Sequence, residues 1–188
     1  MTPAARHALE VLDQAELIHD EATVDAAVRE MAARIQADMA ELDPLVLCVM
    51  NGGLVPTALL MPHLRFPWKL DYLHATRYRE STSGTELVWQ RTPSVSLRDR
   101  HLLVIDDILD EGHTLAAIQS FCRAQEPASL RTAVLTHKRH GRGVQPPVDY
   151  LGLEVPDRYV FGCGMDYRGY WRNLPAVYAL KEEEQAHE

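Results

Sequence analysis

At 188 residues the chain has the length of one domain, and 46% hydrophobic against 24% charged residues is the balance of a globular protein without disorder or repeat bias. A formal net charge of −8 argues against a nucleic-acid partner bound by a broad basic face. No apolar run approaches the ~20 residues that span a membrane.

Arg6, His7, Glu10 and Asp13 interrupt any secretory leader pattern at the chain start. Cys48, Cys122 and Cys163 sit in apolar settings without metal-type spacing and read as reduced core thiols of a cytoplasmic protein. Residues 4–13 read as a short helix, with an extended piece at Leu17 and Ile18. Val24, Val28, Met31, Ile35, Met39 and Leu42 then recur at three- and four-residue steps, the pattern of a packing helix that Pro44 closes. The stripe is too short for a coiled coil.

Residues 45–50 form a continuous apolar run, as in a strand buried on both faces, and end in Asn51-Gly52-Gly53 before a second helix over 54–64. Asn-Gly is enough for a plain tight turn. The sharper reading is an anion-binding turn whose glycines let backbone amides approach a ligand. Residues 68–75 alternate as a strand, with 87–89 as a hairpin partner. The polar stretch 77–85 between them, with Ser81, Thr82, Ser83 and Gly84, is an exposed hairpin loop by default. Near an active site it would serve as a lid that excludes water.

The stretch 102–118 carries the most information. Four apolar residues, Leu102 to Ile105, run into Asp106 and Asp107, and Asp110-Glu111-Gly112-His113-Thr114 leads into a helix pattern at Leu115, Ile118, Phe121 and Cys122. This order puts an acidic, glycine-containing loop at a strand's carboxyl end and a helix's amino end, where open α/β sheets bind ligands. The first helical turn offers unpaired N–H groups to a phosphate. The carboxylates would repel a bare phosphate, so the ligand must carry more. A sugar phosphate meets both demands, its hydroxyls donating to the carboxylates.

Residues 131–136 give another buried strand, ending in His137-Lys138-Arg139-His140-Gly141. A basic cluster there reads as a solvated face unless the sheet's carboxyl ends carry the chemistry, and His137, His140 and Arg142 read as surface residues. Residues 149–155 and 158–161 are short strands around a Pro156-Asp157 turn, and Gly162, Gly164 and Gly169 point to a closely held loop. Tyr159 and Trp171 would pass for packing residues, and 182–188 reads as a frayed acidic tail.

Residues 104–114, two acids followed by a D-x-G-x-T loop, resemble the phosphoribosyl-pyrophosphate signature of the type I phosphoribosyltransferases, and residues 45–180 resemble their hypoxanthine-guanine branch. The resemblance implies a single α/β domain with a mostly parallel central sheet flanked by helices, a small hood and a mobile loop. It divides the chain into an N-terminal helical segment (1–43), a core (44–140), a base-binding hood segment (141–180) and an acidic tail (181–188). It implies a purine-salvage enzyme that moves 5-phosphoribosyl from phosphoribosyl pyrophosphate to N9 of hypoxanthine or guanine, giving IMP or GMP and pyrophosphate. Asp106 and Asp107 would hold ribose hydroxyls, residues Asp110, Glu111, Gly112, His113 and Thr114 the 5-phosphate, and Asp110 would act as general base on the N7 proton. Asn51, Gly52 and Arg172 would meet pyrophosphate, and relatives often have a non-proline cis peptide at the 50–51 position.

Arg77 and Tyr78 would form the lid base, and Lys138, Tyr159, Val160 and Asp166 would bind the purine. Lys138 only donates hydrogen bonds, so it donates to an oxopurine oxygen and mismatches adenine's amino group. Magnesium would sit on Asp166 with Asp106, Asp107 and substrate oxygens, and the implied assembly is a homodimer or homotetramer. Three positions depart from the pattern. Asn51 stands where many relatives have lysine, Arg77 replaces a serine, and Glu111 replaces a hydroxyl or small residue. The same fold also serves as a regulator that binds nucleotides and RNA, against which the acidic balance, Asp110 and Lys138 argue. A phospho-receiver domain would want its acids near the chain start, and xanthine preference is the nearest rival among the enzymes.

Overall fold

The computed structural model describes residues 1–77 and 87–181. Helix α1 (Pro3–Gln14), strand β1 (Glu16–His19) and helix α2 (Glu21–Met39) open the chain. Both helices start on a side-chain cap: Thr2 Oγ1 accepts from the Ala5 N–H at 3.2 Å and Asp20 Oδ1 from the Thr23 N–H at 2.8 Å. α2 buries Val24, Val28, Met31, Ile35 and Met39, the expected stripe, and ends before Leu42. Strand β2 (Leu45–Met50) leads into α3 (Leu54–Leu60), which tightens into a 3-10 turn over Met61–His63. The expected helix over 54–64 is cut short there because Pro62 has no N–H to continue the α pattern.

Strands β3 (Lys69–Arg77) and β4 (Leu87–Arg91) form the antiparallel hairpin, followed by β5 (His101–Leu109), helix α4 (His113–Ala124), β6 (Ser129–Lys138), β7 (Tyr150–Val155), β8 (Val160–Phe161) and β9 (Val177–Ala179). The large sheet has the order β4-β3-β2-β5-β6-β7, and all its pairs except β3–β4 are parallel. Alternate residues of its middle strands serve two cores. Val46, Leu103, Ile105, Ala133 and Leu135 pack with Val28, Met31 and Ile35 of α2 on one face. Leu45, Leu47, Leu102, Val104 and Val134 pack with Leu115, Ile118 and Cys122 of α4 on the other. Burial on both faces is why these strands read as unbroken apolar runs. The three cysteines are buried and free, and no helix among the described residues is long and apolar enough to cross a membrane.

The small sheet, β1-β9-β8, is antiparallel and draws on both ends of the chain. The expected hood segment 141–180 is therefore divided: β7 pairs with β6 in the large sheet, while β1 joins β9. Side chains explain the division. Tyr150 of β7 donates its hydroxyl to Asp38 of α2 at 2.9 Å, and Arg158 joins Glu16 of β1 to the Leu180 carbonyl at 2.5 Å each. Ala8 and Val11 of α1 complete the hood core with Phe161, Tyr167 and Leu180. Arg77 closes β3, whereas Tyr78 and the stretch through Thr85, where the lid is expected, lie outside the described residues.

Candidate active site

β2 and β5 lie side by side in the middle of the sheet, and their carboxyl ends open on a cleft of about 420 Å³. Its lining includes Met50, Gly52, Asp106, Asp107, Asp110 to Thr114 and Arg172. β5 runs further than the apolar residues alone predict. It continues through both acids to Leu109, because Ile108 and Leu109 keep pairing with Thr136 and His137 of β6. The buried Thr136 hydroxyl donates to the Asp107 carbonyl at 2.9 Å, extending the tie between the strands. Asp106 and Asp107 are thus strand residues held rigidly, only 8% and 9% exposed.

Each carboxylate accepts the next backbone N–H, from Asp107 at 2.9 Å and from Ile108 at 2.8 Å. Burial and the charge of Asp107 push the Asp106 carboxyl well above its ordinary range, and burial raises Asp107 as well. Arg172 beside the pair works in the opposite direction on Asp107. Such under-compensated negative charge suits donors from a sugar or a hard cation. The Met50–Asn51 peptide bond is cis. Gly52 lies against Asp107 so closely that a β-carbon would come within 1.9 Å of Oδ2. Gly52 lines the cleft, whereas Asn51 is exposed and is not among the lining residues.

The turn ahead of α4 depends on Gly112, which has φ +75° and caps the helix without any side-chain hydrogen bond to the first turn. The amides of that turn are left for a ligand, with the positive end of the helix behind them. Gly112 has a second reason to lack a side chain: a β-carbon would meet the Val144 carbonyl oxygen at 2.2 Å. The segment after β6 lies across this turn, its Val144 N–H donating to the Glu111 carbonyl at 2.9 Å. Glu111 itself is exposed at the rim, while His113 and Thr114 are partly buried along the cleft.

A second cleft, of about 290 Å³, is lined by Asp107, Ile108, Asp110, Lys138, Tyr159, Val160, Met165 and Asp166. All four residues expected at the purine are therefore in one place, and Asp107, Ile108 and Asp110 line both clefts. Asp110 stands at the junction, its Oδ2 accepting from Lys138 Nζ at 2.7 Å and its Oδ1 from His140 Nε2 at 2.6 Å. Burial opposes its ionisation, but these two partners outweigh burial and hold the carboxyl below its ordinary value. The Tyr159 ring meets Tyr167 edge-on, with centroids 5.9 Å apart, and its hydroxyl donates to the Asp166 carbonyl at 3.0 Å.

His140 corrects the expectation of a surface residue: its side chain is 3% exposed and bound to Asp110. β6 ends at Lys138, so no strand periodicity in the sequence places His140, and its contact with Asp110 is a tertiary one. Arg142 does lie at the surface, forked onto Asp157 with two contacts of 2.6 Å, while His137 sits within β6. Asp166, in the second cleft, is held by two neighbours. Arg172 binds its Oδ1 at 2.5 Å and the Gly169 N–H binds its Oδ2 at 2.6 Å. Among the described residues, no three His, Cys, Asp or Glu side chains gather as a metal site.

An acid pair, a helix start without a side-chain cap and a lysine-lined second cleft thus lie together at the carboxyl ends of a parallel sheet, where open α/β sheets bind ligands. A family model for the phosphoribosyl transferase domain matches residues 14–168. The chain is 30% identical over 171 residues to the hypoxanthine-guanine-xanthine phosphoribosyltransferase of Tritrichomonas foetus, covering 90% of this chain and 93% of that one. It is 31% identical over 170 residues to the hypoxanthine-guanine phosphoribosyltransferase of Bacillus subtilis, covering 90% and 94%. Among solved structures, a hypoxanthine-guanine-xanthine phosphoribosyltransferase superposes with a TM-score of 0.82 at 28% identity, over 90% of this chain and 99% of that one. A variant of the Trypanosoma cruzi hypoxanthine phosphoribosyltransferase with its product IMP gives 0.81 at 28% identity, over 93% and 95%. The chain belongs to the phosphoribosyltransferase family, in its hypoxanthine-guanine branch.

Proposed function

We propose that this chain is a purine-salvage transferase that moves the 5-phosphoribosyl group of phosphoribosyl pyrophosphate onto N9 of hypoxanthine or guanine. One observation carries the reading: Asp110 stands where the cleft ending on the α4 amides meets the cleft lined by Lys138, Tyr159 and Val160. A sugar phosphate in the first cleft and a purine in the second would meet at that residue.

The 5-phosphate rests on the amides of the turn from Asp110 to Thr114, and Asp106 and Asp107 accept from the ribose hydroxyls. The N9–C1′ bond forms as the C1′–O bond to pyrophosphate breaks, the electron pair leaving on pyrophosphate. The transition state is oxocarbenium-like, so buried carboxylates beside the ring stabilise it. Arg172 meets the departing pyrophosphate, and Asp110 takes the N7 proton. A carboxylate paired with lysine is a weak base. When Lys138 turns to the purine oxygen, Asp110 loses one stabilising partner and gains basicity at the moment the proton must move.

The donor set fits a hard divalent ion such as magnesium held by one or two carboxylates and substrate oxygens. Asp106, Asp107 or Asp166 would supply the protein's share. Bound there, the ion neutralises charge on the leaving pyrophosphate. A cytoplasmic homodimer or homotetramer is the assembly we assign by analogy with the branch. The test is an assay of purified protein with magnesium, phosphoribosyl pyrophosphate and each of hypoxanthine, guanine, xanthine and adenine, followed by nucleotide analysis. IMP and GMP are expected; XMP or AMP as the main product would overturn the base assignment, and no nucleotide at all would overturn the function.

A further inference from the structure

His140 is buried and bound to the residue on which the reaction turns, yet it lines neither cleft. Resting on the reading above, we infer that His140 is a positioning residue, holding the Asp110 carboxylate toward the purine while Lys138 turns to the base.

The ring's own contacts fix its role. Its Nδ1 accepts the Arg142 backbone N–H at 3.1 Å, so the hydrogen resides on Nε2, which donates to Asp110 Oδ1 at 2.6 Å. The segment that carries it is pinned at three further points. The Arg142 guanidinium forks onto Asp157, the Val144 N–H meets the Glu111 carbonyl, and Gln119 Nε2 donates to the Pro147 carbonyl at 2.7 Å. His140 is therefore held in place away from the base cleft, whereas Lys138 lines that cleft, within which a purine oxygen would compete with Asp110 for its ammonium group. Of the two donors on this carboxylate, the lysine is exchangeable and the histidine is fixed. With the side chain of Asp110 40% exposed, removing the fixed donor frees the carboxylate to rotate toward solvent as the lysine leaves.

The variants His140→Leu, His140→Gln and His140→Asn separate positioning from packing. The glutamine amide reaches the place of Nε2 and the asparagine amide only that of Nδ1. In steady-state assays with hypoxanthine, His140→Leu is expected to lower kcat about tenfold, part of the 10²–10⁴-fold that a proton-transfer group contributes. KM for phosphoribosyl pyrophosphate should stay within about twofold, and His140→Gln should recover most of the loss while His140→Asn should not. Unchanged kcat in His140→Leu, or equal loss in glutamine and asparagine variants of wild-type thermal stability, would overturn the inference. If His140→Leu fails to fold, the glutamine–asparagine comparison decides by the same criterion. An inactive wild type would overturn the underlying reading instead, which keeps the two failures distinct.

Discussion

Asp110 carries two opposing requirements, a stable charge before substrate arrives and enough basicity to take a proton afterwards. Asp110→Asn should cut turnover by about 10²–10⁴-fold with little change in KM for phosphoribosyl pyrophosphate. The same carboxylate leaves a mark on stability. Its folded value is held below the ordinary carboxylate value by Lys138 and His140, against burial. Its contribution is therefore fully present above the unfolded value of about 4 and lost as pH falls through the lowered folded value. Thermal scans from pH 6 down to pH 3 should show the wild type losing its advantage over Asp110→Asn in the lower part of that range. A neighbouring charge works the other way. Glu111 sits at the rim of the phosphate turn, so Glu111→Ser should lower KM for phosphoribosyl pyrophosphate about two- to threefold, as expected for several tenths of a kcal/mol at a helix start. A raised KM would show that Glu111 serves the site.

Among the elements, the turn before α4 is the most exposed to single changes. Gly112→Ala places a β-carbon at a left-handed position and against the Val144 oxygen. It should cost more than about 1 kcal/mol in denaturant unfolding and raise KM for phosphoribosyl pyrophosphate. This turn was legible in the sequence because its glycine, its acids and the following apolar period are local signals. The strands β2, β5 and β6 were legible for a related reason, since burial on both faces leaves a continuous apolar run. What stayed hidden depends on distant partners. β5 extends through Asp106 and Asp107 because β6 keeps pairing with it, and β1 joins the hood because β9 and Arg158 reach it from the other end of the chain. His140 looked like part of a basic surface cluster, and only the approach of β6 to β5 brings it onto Asp110.

At the scale of the whole molecule, two helical layers and a two-ended hood hold a pair of clefts that share one wall. The first cleft holds two buried acids, Asp106 and Asp107, whose charges resist burial, a cost that function imposes on the fold. Asp106→Asn should accordingly raise the melting temperature by about 2–4 °C for each kcal/mol relieved while reducing turnover. A lower melting temperature would mean that the pair is stabilised by contacts the native charge requires. The position of a bound mononucleotide tests this arrangement most directly. A crystal structure with IMP should place its phosphate within hydrogen-bond distance of the amides from Asp110 to Thr114, its ribose hydroxyls on Asp106 and Asp107, and its base beside Lys138. A phosphate found away from the α4 turn, with the base outside the Lys138–Tyr159 cleft, would contradict it.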